Sequence, residues 1–275
     1  MLKIAVIGHP IAHSRSPQIH GAALDSINVE YKYEKYDIKK EDLESFLEYA
    51  KSNLDGFNLT MPLKVDVLPY LEGISEDAEN FRSVNTVKVK DGKLYGYNTD
   101  SDGYIQALIN KGCDPNNKRI VILGAGGVVR TIAKKLTECG TESIVILNRT
   151  IEKAEEIVKY IGSENIKCGE FSMENITANC KAADILINAT PLGMEGNDGD
   201  FDDTSFLKAL PDYAIVSDLI YAPPKTKLLK DAEKLGLKIM NGLDMLIFQA
   251  ILADEIYLDE KLDLYEIYKS VISRI

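Results

Sequence analysis

The chain has 275 residues, of which 45% are hydrophobic and 27% are charged, and this length exceeds what a single hydrophobic core usually serves. We therefore expect two domains of ordinary globular composition. The formal net charge of -11 argues against nucleic acid or a membrane surface as a partner, because both carry negative charge and would repel the protein.

The N-terminus predicts a pair of strands and no targeting segment. KIAVIG, residues 3–8, is an apolar segment typical of a buried strand, and VEYKYEKYDI, residues 29–38, alternates with the period of a second strand. The first strand lacks the cleavage region of a signal peptide, and no apolar run approaches the length of a membrane span. We therefore expect a cytoplasmic protein without a membrane partner.

A helix and a hairpin complete the first hundred residues, which predict one mixed α/β unit. Ser16 followed by Pro17 is typical of a helix cap and the first helical residue. Residues 83–100 alternate in two arms joined by Asp91 and Gly92, a pair that suits the tight turn of a hairpin.

The segment NLTMPLK, residues 58–64, places polar side chains where a predicted strand ends. The residues before it alternate like a short strand, and Pro62 lacks the backbone donor that would continue a sheet. Three side chains are therefore candidates to meet at this strand end: Asn58, Thr60 and Lys64. Considered alone, a lysine that opens a helix, here predicted over 63–71, more often points into solvent, so the other motifs must decide.

Cysteine and histidine positions predict no metal site. The four cysteines are widely spread without a C-x-x-C pair, which favours reduced thiols over a zinc site or a disulfide framework. His9, His13 and His20 are close in sequence, but no cysteine or acidic ligand lies between them. The acidic segment 196–203 lacks the glycine and glutamate positions of a calcium loop.

From about residue 102, strands rich in Val, Ile and Leu alternate with amphipathic helices. Helices are predicted over 102–112, 128–139, 151–161 and 225–235, and strands within RIVILGAGG, SIVILNRT, ADILINAT, AIVSDLIY and KIMNG. This alternation predicts a parallel, doubly wound sheet. Two helices, within 243–258 and 262–275, follow the last strand, and we expect them to pack on the first unit.

The segment GAGGVVR, residues 124–130, lies between a predicted strand and a predicted helix, which is the context of a dinucleotide site. Gly124 would make the tight turn, and Gly126 would let backbone N–H groups reach a pyrophosphate at the helix N-terminus. Val129 departs from the fingerprint, which has Gly or Ala there. A plain strand-to-helix turn is the alternative interpretation.

The end of the next strand predicts which dinucleotide binds. NAD sites place an acidic residue there for the ribose 2'-hydroxyl, but this chain has Asn148 and Arg149. A guanidinium suits a 2'-phosphate, and Arg130 on the opening helix can join it. We therefore expect NADP; a surface arginine without a ligand is the alternative.

The chain resembles the shikimate dehydrogenase family along almost its whole length. The matching segments, in order, are SRSP, NLTMPLK, SVNT, YNTD, GAGG with Arg130, NRT, NATPLGM, DLIYAPPKT and GLDMLIFQA. Their order and spacing follow the family, which makes the resemblance more specific than any single motif.

The resemblance implies an α/β protein of two domains with a cleft between them. The expected substrate-binding catalytic domain, a mixed α/β unit, is formed by residues 1–101 and 241–275, and the expected Rossmann-type NADP domain by residues 102–240. Family members reduce 3-dehydroshikimate reversibly to shikimate with NADPH, in the pathway to chorismate and the aromatic amino acids. We expect a monomer or homodimer that binds only small molecules and no metal.

Two residues match the catalytic pair of the family, Lys64 and Asp100. The pairing is chemically reasonable, because hydride delivery to a carbonyl builds negative charge on oxygen, which a nearby ammonium can stabilise and protonate. Asp100 would hold the ammonium in place and accept a hydrogen bond from a substrate hydroxyl.

The resemblance also implies the remaining site residues. Substrate-binding residues would be Ser14, Ser16, Thr60 and Tyr221 towards the carboxylate, and Asn58, Asn85 and Gln249 towards the ring hydroxyls. Cofactor-binding residues would be Gly124, Ala125, Gly126, Gly127, Arg130, Asn148, Arg149, Thr150, Asn188, Thr190, Met194 and Gly242. Considered singly, each polar residue of these sets is more often a cap or turn residue.

Several positions depart from the family pattern without removing a catalytic group: Arg15, Gly21, Val128, Val129 and Asp244. The valines add methyl groups near the glycine turn, and Asp244 adds negative charge near an anionic substrate. Two alternatives stay open: a quinate/shikimate dehydrogenase that uses NAD, and a non-catalytic NADP-binding sensor of the same fold.

Overall fold

The computed structural model describes all residues, Met1–Ile275. It contains twelve strands and eleven α-helices. The strands are β1 Leu2–Gly8, β2 Tyr31–Asp37, β3 Gly56–Leu59, β4 Gly73–Ile74, β5 Thr86–Lys90, β6 Lys93–Tyr97, β7 Arg119–Leu123, β8 Ser143–Asn148, β9 Ile166–Glu170, β10 Ile185–Asn188, β11 Ile215–Asp218 and β12 Lys238–Met240. The helices are α1 Ser16–Ser26, α2 Leu43–Asn53, α3 Leu63–Asp66, α4 Glu76–Phe81, α5 Asp100–Asn110, α6 Gly127–Glu138, α7 Ile151–Ile161, α8 Met173–Cys180, α9 Lys227–Lys234, α10 Gly242–Leu258 and α11 Leu264–Ile272.

The chain folds into two compact units. The first unit comprises Met1–Gly103 and Ile247–Ile275, and the second comprises Tyr104–Leu246. Each unit contains one six-stranded sheet. No helix is both long enough and apolar enough to cross a lipid bilayer.

The sheet of the first unit is mixed, with the order β2-β1-β3-β5-β6-β4. β1 runs parallel to β2 and β3, whereas β5 pairs antiparallel with β3 and β6. The predicted hairpin is confirmed: Asp91 and Gly92 both have positive φ, 52° and 70°, which a tight primed turn requires. The sheet therefore brings the ends of β3 and of the β5–β6 hairpin into neighbouring positions.

β1 is buried on both faces, which explains its continuous apolar sequence. Ala5 and Ile7 pack in a core that includes Phe46 of α2, while Ile4 packs with residues of α1 and α10 on the opposite face. Those partners are Leu24, Ala253 and Tyr257. The C-terminal helical segment thus covers the second face of the first sheet.

The helix predicted over 63–71 is shorter than expected. α3 ends at Asp66, and a separate 3-10 turn follows at Leu68–Tyr70. Pro69 explains the break, because proline has no N–H to donate to the carbonyl four residues earlier.

The second unit has an all-parallel sheet with the order β12-β11-β10-β7-β8-β9. This order confirms the predicted doubly wound fold, because β7 lies between β8 and β10 and the chain therefore turns outward in both directions from its first strand. In such sheets ligands bind at the carboxyl ends of the strands beside this switch point. β9 and α8 were not predicted; β9 is an edge strand with polar positions and only its first residue, Ile166, fully buried.

Candidate active site

The first unit brings Lys64 and Asp100 together in an ion pair. Lys64 lies in α3, just after β3, and Asp100 opens α5, just after the hairpin. Lys64 Nζ donates to Asp100 Oδ2 over 2.6 Å, and the two side chains are 26% and 15% exposed. A partly buried ammonium held by one carboxylate keeps its other N–H donors for a ligand, so the pair is suited to binding or protonating an oxygen.

Asn85 holds the second oxygen of the Asp100 carboxylate, the one that Lys64 does not contact. Asn85 Nδ2 donates to Asp100 Oδ1 over 2.9 Å and lies 3.1 Å from Gln249 Oε1. Its Oδ1 accepts from the Thr99 backbone N–H over 3.0 Å and from the Thr86 hydroxyl over 2.9 Å. Asn85 is 2% exposed in this conformation, so its first role is to orient Asp100 and Gln249.

Asn58 joins this network from the end of β3. Its Nδ2 donates to Thr86 Oγ1 over 3.2 Å, and its Oδ1 accepts from the Tyr33 hydroxyl over 2.8 Å. The predicted ring-hydroxyl residues Asn58, Asn85 and Gln249 are therefore brought together with the catalytic pair.

Ser14 and Ser16 lie side by side at the start of α1. The Ser14 hydroxyl donates to Ser16 Oγ over 3.2 Å, and the Ser16 backbone N–H donates to Ser14 Oγ over 3.3 Å. The prediction that Ser16 caps the helix is wrong by one position: α1 begins at Ser16, and Arg15 occupies the cap without a side-chain bond.

Thr60 follows β3 in the same unit, beside the backbone of β1. Gly8 makes room for it, because a Cβ at Gly8 would lie 2.4 Å from Thr60 Cγ2. The fourth predicted carboxylate residue, Tyr221, belongs to the second unit and is 37% exposed.

Two of the three histidines, His9 and His20, have carboxylate partners that the sequence did not reveal. His9 Nδ1 lies 2.6 Å from Asp37 Oδ1, and His20 Nδ1 lies 2.6 Å from Asp254 Oδ1. The described residues contain no group of three potential ligands arranged to hold a metal ion. Each carboxylate is far from its histidine in sequence, by 28 and 234 residues, so no local motif could predict the pairs.

The glycine turn of the second unit leaves backbone exposed at the start of α6. Gly124 has a φ of 105°, and a Cβ there would lie 2.9 Å from the Ala189 carbonyl oxygen, so only glycine fits. A Cβ at Gly126 or Gly127 would meet nothing within 4 Å, and no side chain caps the helix. The Gly124 N–H donates to the Leu147 carbonyl over 2.8 Å, whereas the N–H groups of the half-exposed Ala125 and of Gly126 and Gly127 are available to bind a phosphate.

The polar segment after β8 is accessible to a ligand. Arg149 and Thr150 are exposed, and Asn148 Nδ2 donates to the Thr150 carbonyl over 2.7 Å, which shapes the turn. Arg130 is stacked on Tyr160 of α7, with its guanidinium carbon 3.5 Å from the ring centroid. The stacked face leaves the edge of the guanidinium for an anion, and its buried Nε has no hydrogen-bond partner.

Asn188 supports the loop after β10 from inside the protein. It is fully buried, its Nδ2 donates to Asp218 Oδ1 over 3.1 Å, and its Oδ1 accepts from the Thr190 N–H and hydroxyl over 3.0 and 2.7 Å. In this conformation Asn188 orients Thr190, and its contact with the cofactor stays a prediction. Asp218 accepts two further bonds, from Thr226 Oγ1 and the Ile220 N–H, yet burial raises its pKa above the usual value for aspartate.

The last two predicted cofactor residues differ in accessibility. Met194 is 44% exposed, which allows contact with a ligand. Gly242 is buried, and a Cβ there would lie 2.1 Å from the Leu219 carbonyl oxygen, so the glycine is required by backbone packing at the end of β11.

Three departures from the family pattern have structural explanations. Asp244 is 5% exposed and pairs with Lys111, whose Nζ lies 3.2 Å from its Oδ2, so the expected added negative charge is compensated. A Cβ at Gly21 would lie 2.6 Å from the Tyr31 hydroxyl, which explains the glycine. Val129 is buried on the inner face of α6.

Two family models match the chain and together cover more than half of it. Residues 6–87 match the model described as the shikimate dehydrogenase substrate binding domain, and residues 107–192 match the model described as shikimate / quinate 5-dehydrogenase.

Curated relatives match over nearly the whole chain. The shikimate dehydrogenase (NADP(+)) of Alkaliphilus oremlandii is 42% identical over 277 residues, which cover 98% of this chain and 96% of the relative. The protein of the same name from Methanocaldococcus jannaschii is 39% identical over 277 residues, covering 99% of this chain and 96% of the relative.

Solved structures share the fold at full length. Shikimate 5-dehydrogenase of Thermus thermophilus, solved in complex with NADP(H) and shikimate, is 33% identical, covers 100% of both chains and has a TM-score of 0.86. A 5-ketofructose reductase of a Gluconobacter species is 32% identical, covers 100% of this chain and 99% of its own, and also has a TM-score of 0.86. The fold alone therefore does not fix the substrate, but the two family models and the full-length curated relatives agree: the chain belongs to the shikimate dehydrogenase family.

Proposed function

We propose that this chain catalyses the reversible NADPH-dependent reduction of 3-dehydroshikimate to shikimate, a step towards chorismate and the aromatic amino acids. The observation that carries the proposal is the ion pair of Lys64 and Asp100, 2.6 Å apart, in a member of the shikimate dehydrogenase family. A non-catalytic sensor of the same fold would have no use for this pair. The function implies a cytoplasmic enzyme whose partners are small molecules.

Lys64 transfers the proton in the reaction, and Asp100 positions Lys64. NADPH supplies the hydride when bound, and the substrate carbonyl oxygen then becomes negative. Lys64 stabilises this oxygen and donates a proton to it, and in the reverse direction it accepts the proton from the hydroxyl. Asp100 holds the ammonium through Oδ2 while Asn85 fixes its Oδ1, so the amine stays within reach of the reacting oxygen.

The remaining residues of the first unit bind the substrate. Ser14, Ser16 and Thr60 offer hydroxyl donors to the carboxylate, and Tyr221 is proposed for the same role from the family resemblance alone. Asn58 and Gln249 offer amide groups to the ring hydroxyls, since an amide can donate and accept at once. The substrate domain would comprise residues 1–101 and 241–275.

The NADP domain of this proposal, residues 102–240, comprises most of the second unit. The N–H groups of Ala125, Gly126 and Gly127, after the tight turn at Gly124, suit the pyrophosphate, because a helix N-terminus favours negative charge. Arg149 and Arg130 suit the 2'-phosphate, and Asn148 and Thr150 shape that turn. Thr190, Met194 and the backbone at Gly242 would lie beside the rest of the cofactor.

The proposal is tested by product identification. The purified chain is incubated with 3-dehydroshikimate and NADPH, the loss of NADPH is followed by its absorbance, and the products are separated by chromatography. We expect shikimate to appear in equal amount to the NADPH consumed. NADPH consumption without shikimate, or no consumption, would contradict the proposal.

Loss of the Tyr160 ring should weaken NADP binding. In Tyr160→Leu, Arg130 loses a stacking contact worth about 0.5 to 2 kcal/mol, so we expect the KM for NADP to rise roughly 2- to 30-fold while the KM for NAD stays nearly constant. Tyr160→Phe keeps the stack and serves as the matched control. Equal changes for both cofactors would show that Tyr160 does not act through the 2'-phosphate site.

Removal of the Ser16 hydroxyl should act mainly on substrate affinity. The carboxylate is remote from the reacting carbon, so it is bound about equally before and during hydride transfer. A lost bond to a charged group costs about 1.5 to 3 kcal/mol, which predicts that Ser16→Ala raises the KM for shikimate roughly 10- to 150-fold with kcat largely retained. Ser26→Ala at the other end of α1 is the control, and a loss confined to kcat would refute the assignment.

A further inference from the structure

Tyr33 of β2 is connected to the catalytic pair through one continuous series of side-chain hydrogen bonds. Its hydroxyl donates to Asn58 Oδ1 over 2.8 Å. From Asn58 the series continues over Thr86 and Asn85 to Asp100, with donor-acceptor distances of 3.2, 2.9 and 2.9 Å. All these residues belong to the first unit.

The bonds from Tyr33 and Thr86 together determine which face Asn58 offers to a substrate. The Thr86 hydroxyl donates to Asn85 Oδ1, so its oxygen accepts from Asn58, and this places the Asn58 Nδ2 on the side of Thr86. The Asn58 Oδ1 then lies on the side of Tyr33, where it accepts over 2.8 Å. An amide held at both ends has one orientation, whereas an amide held at one end can rotate by half a turn.

Tyr33 keeps its proton and therefore has an O–H to donate to Asn58. Burial of its hydroxyl raises the pKa of Tyr33 well above the usual value, the charge of Asp254 raises it further, and the nearby Ser16 side chain opposes both. The Asn58 Oδ1 consequently faces an O–H at neutral pH.

A buried, hydrogen-bonded pair of His20 and Asp254 lies behind the Tyr33 ring. The ring stacks on His20 with a centroid separation of 4.8 Å and an angle of 28°. His20 Nδ1 lies 2.6 Å from Asp254 Oδ1, and both side chains are fully buried. A fixed imidazole against the ring limits its rotation and keeps the hydroxyl directed at Asn58.

We propose that Tyr33 is a positioning residue for shikimate binding, which fixes the amide of Asn58 so that it meets a ring hydroxyl in one orientation. The inference deepens the proposed function and rests on it for the identity of the ligand. It adds to the site a residue that the sequence motifs did not identify.

The test begins with Tyr33→Phe, which removes the hydroxyl and keeps the ring stacked on His20. We expect kcat/KM for shikimate to fall roughly three- to tenfold, while the KM for NADP stays within about twofold. Tyr36→Phe is the matched control, because Tyr36 lies on the same strand and its hydroxyl contacts Glu34 and Tyr49 instead. An unchanged kcat/KM in Tyr33→Phe, or the same loss in Tyr36→Phe, would overturn the proposal.

A double-mutant cycle separates positioning of Asn58 from general structural damage. If Tyr33 acts through Asn58, the Tyr33→Phe change should alter kcat/KM by less than about twofold in an Asn58→Ala background. If the loss of kcat/KM in the double variant equals the product of the losses in the two single variants, the proposal is overturned.

The side-chain amide signal of Asn58 in a nuclear magnetic resonance spectrum of the free protein gives a readout without substrate. The signal is assigned by its absence in Asn58→Ala, and we expect it to shift in Tyr33→Phe and to stay in place in Tyr36→Phe. If the wild-type protein does not turn over shikimate, the proposed function fails, and this signal still decides whether Tyr33 orients Asn58. An identical signal in wild type and Tyr33→Phe would contradict the positioning role.

Discussion

Replacement of Lys64 by alanine is expected to lower kcat for shikimate oxidation by a factor of about 1,000 or more, while the dissociation constant for shikimate changes only a few-fold. Lys64 acts mainly on the charge that develops on the substrate oxygen, so its loss raises the barrier much more than it weakens ground-state binding. The measurements are steady-state kcat and the affinity for shikimate determined by calorimetry.

Lys93→Ala is the matched control for this variant. Lys93 lies in the same unit and forms an exposed ion pair with Glu72 at 2.8 Å, so its removal deletes the same charge without touching the network around Asp100. We expect wild-type kcat in this control. Wild-type kcat in Lys64→Ala itself would show that Lys64 is not the catalytic acid.

Replacement of Arg149 by alanine should change the cofactor preference. The exposed guanidinium would contact the 2'-phosphate, which NAD lacks, and a charge-assisted contact of this type contributes about 1.5 to 3 kcal/mol. The KM for NADP is therefore expected to rise roughly 10- to 150-fold, with the KM for NAD changed less than about twofold.

Lys208→Ala provides the control for Arg149, because it removes one exposed positive charge from the same unit at a position without a proposed ligand. Its KM values for both cofactors should stay at the wild-type level. Parallel losses for NADP and NAD in Arg149→Ala would mean that Arg149 does not read the phosphate.

Local sequence patterns predicted the elements whose structure is determined locally. The alternation of residues on both sides of Asp91 and Gly92 predicted the hairpin. These two residue types favour the positive φ that its turn requires, so the turn could be recognised from them. The strand, turn and helix around Gly124 were predicted for the same reason. Unbroken apolar strands with helices between them were sufficient to predict the parallel sheet. The strand order of this sheet agrees with the doubly wound topology.

The features that were missed depend on contacts between distant segments. β9 carries polar residues because it lies at the edge of its sheet, so its sequence lacks the apolar pattern of an interior strand. The partner of His20 is 234 residues away, and the partner of Asp244 is Lys111. Neither partner could be identified from the sequence. The role of Asn188 was assigned by its motif, whereas only the structure reveals that its buried side chain bonds to Asp218 and Thr190.

The candidate site shows the same division. The residue types at Lys64 and Asp100 were predicted by motif, and their 2.6 Å contact fits that prediction. Tyr33 and Thr86 were not singled out, because tyrosine and threonine in alternating strands are ordinary sheet residues. Their importance appears only when the hydrogen bonds from Tyr33 to Asp100 are followed through the fold.

The most direct test of the central claim is a comparison of kcat/KM for shikimate and quinate, each with NADP and with NAD, together with 5-ketofructose reduction by NADPH. A pocket shaped for the flat C1 of shikimate must bury the extra quinate hydroxyl without a partner, at a cost of about 1 to 3 kcal/mol. We predict that shikimate with NADP is preferred at least about tenfold over quinate with NADP and over shikimate with NAD, and that 5-ketofructose is not reduced at a comparable rate. Equal or higher kcat/KM for quinate, for NAD or for 5-ketofructose would contradict the assignment of this chain as an NADP-dependent shikimate dehydrogenase.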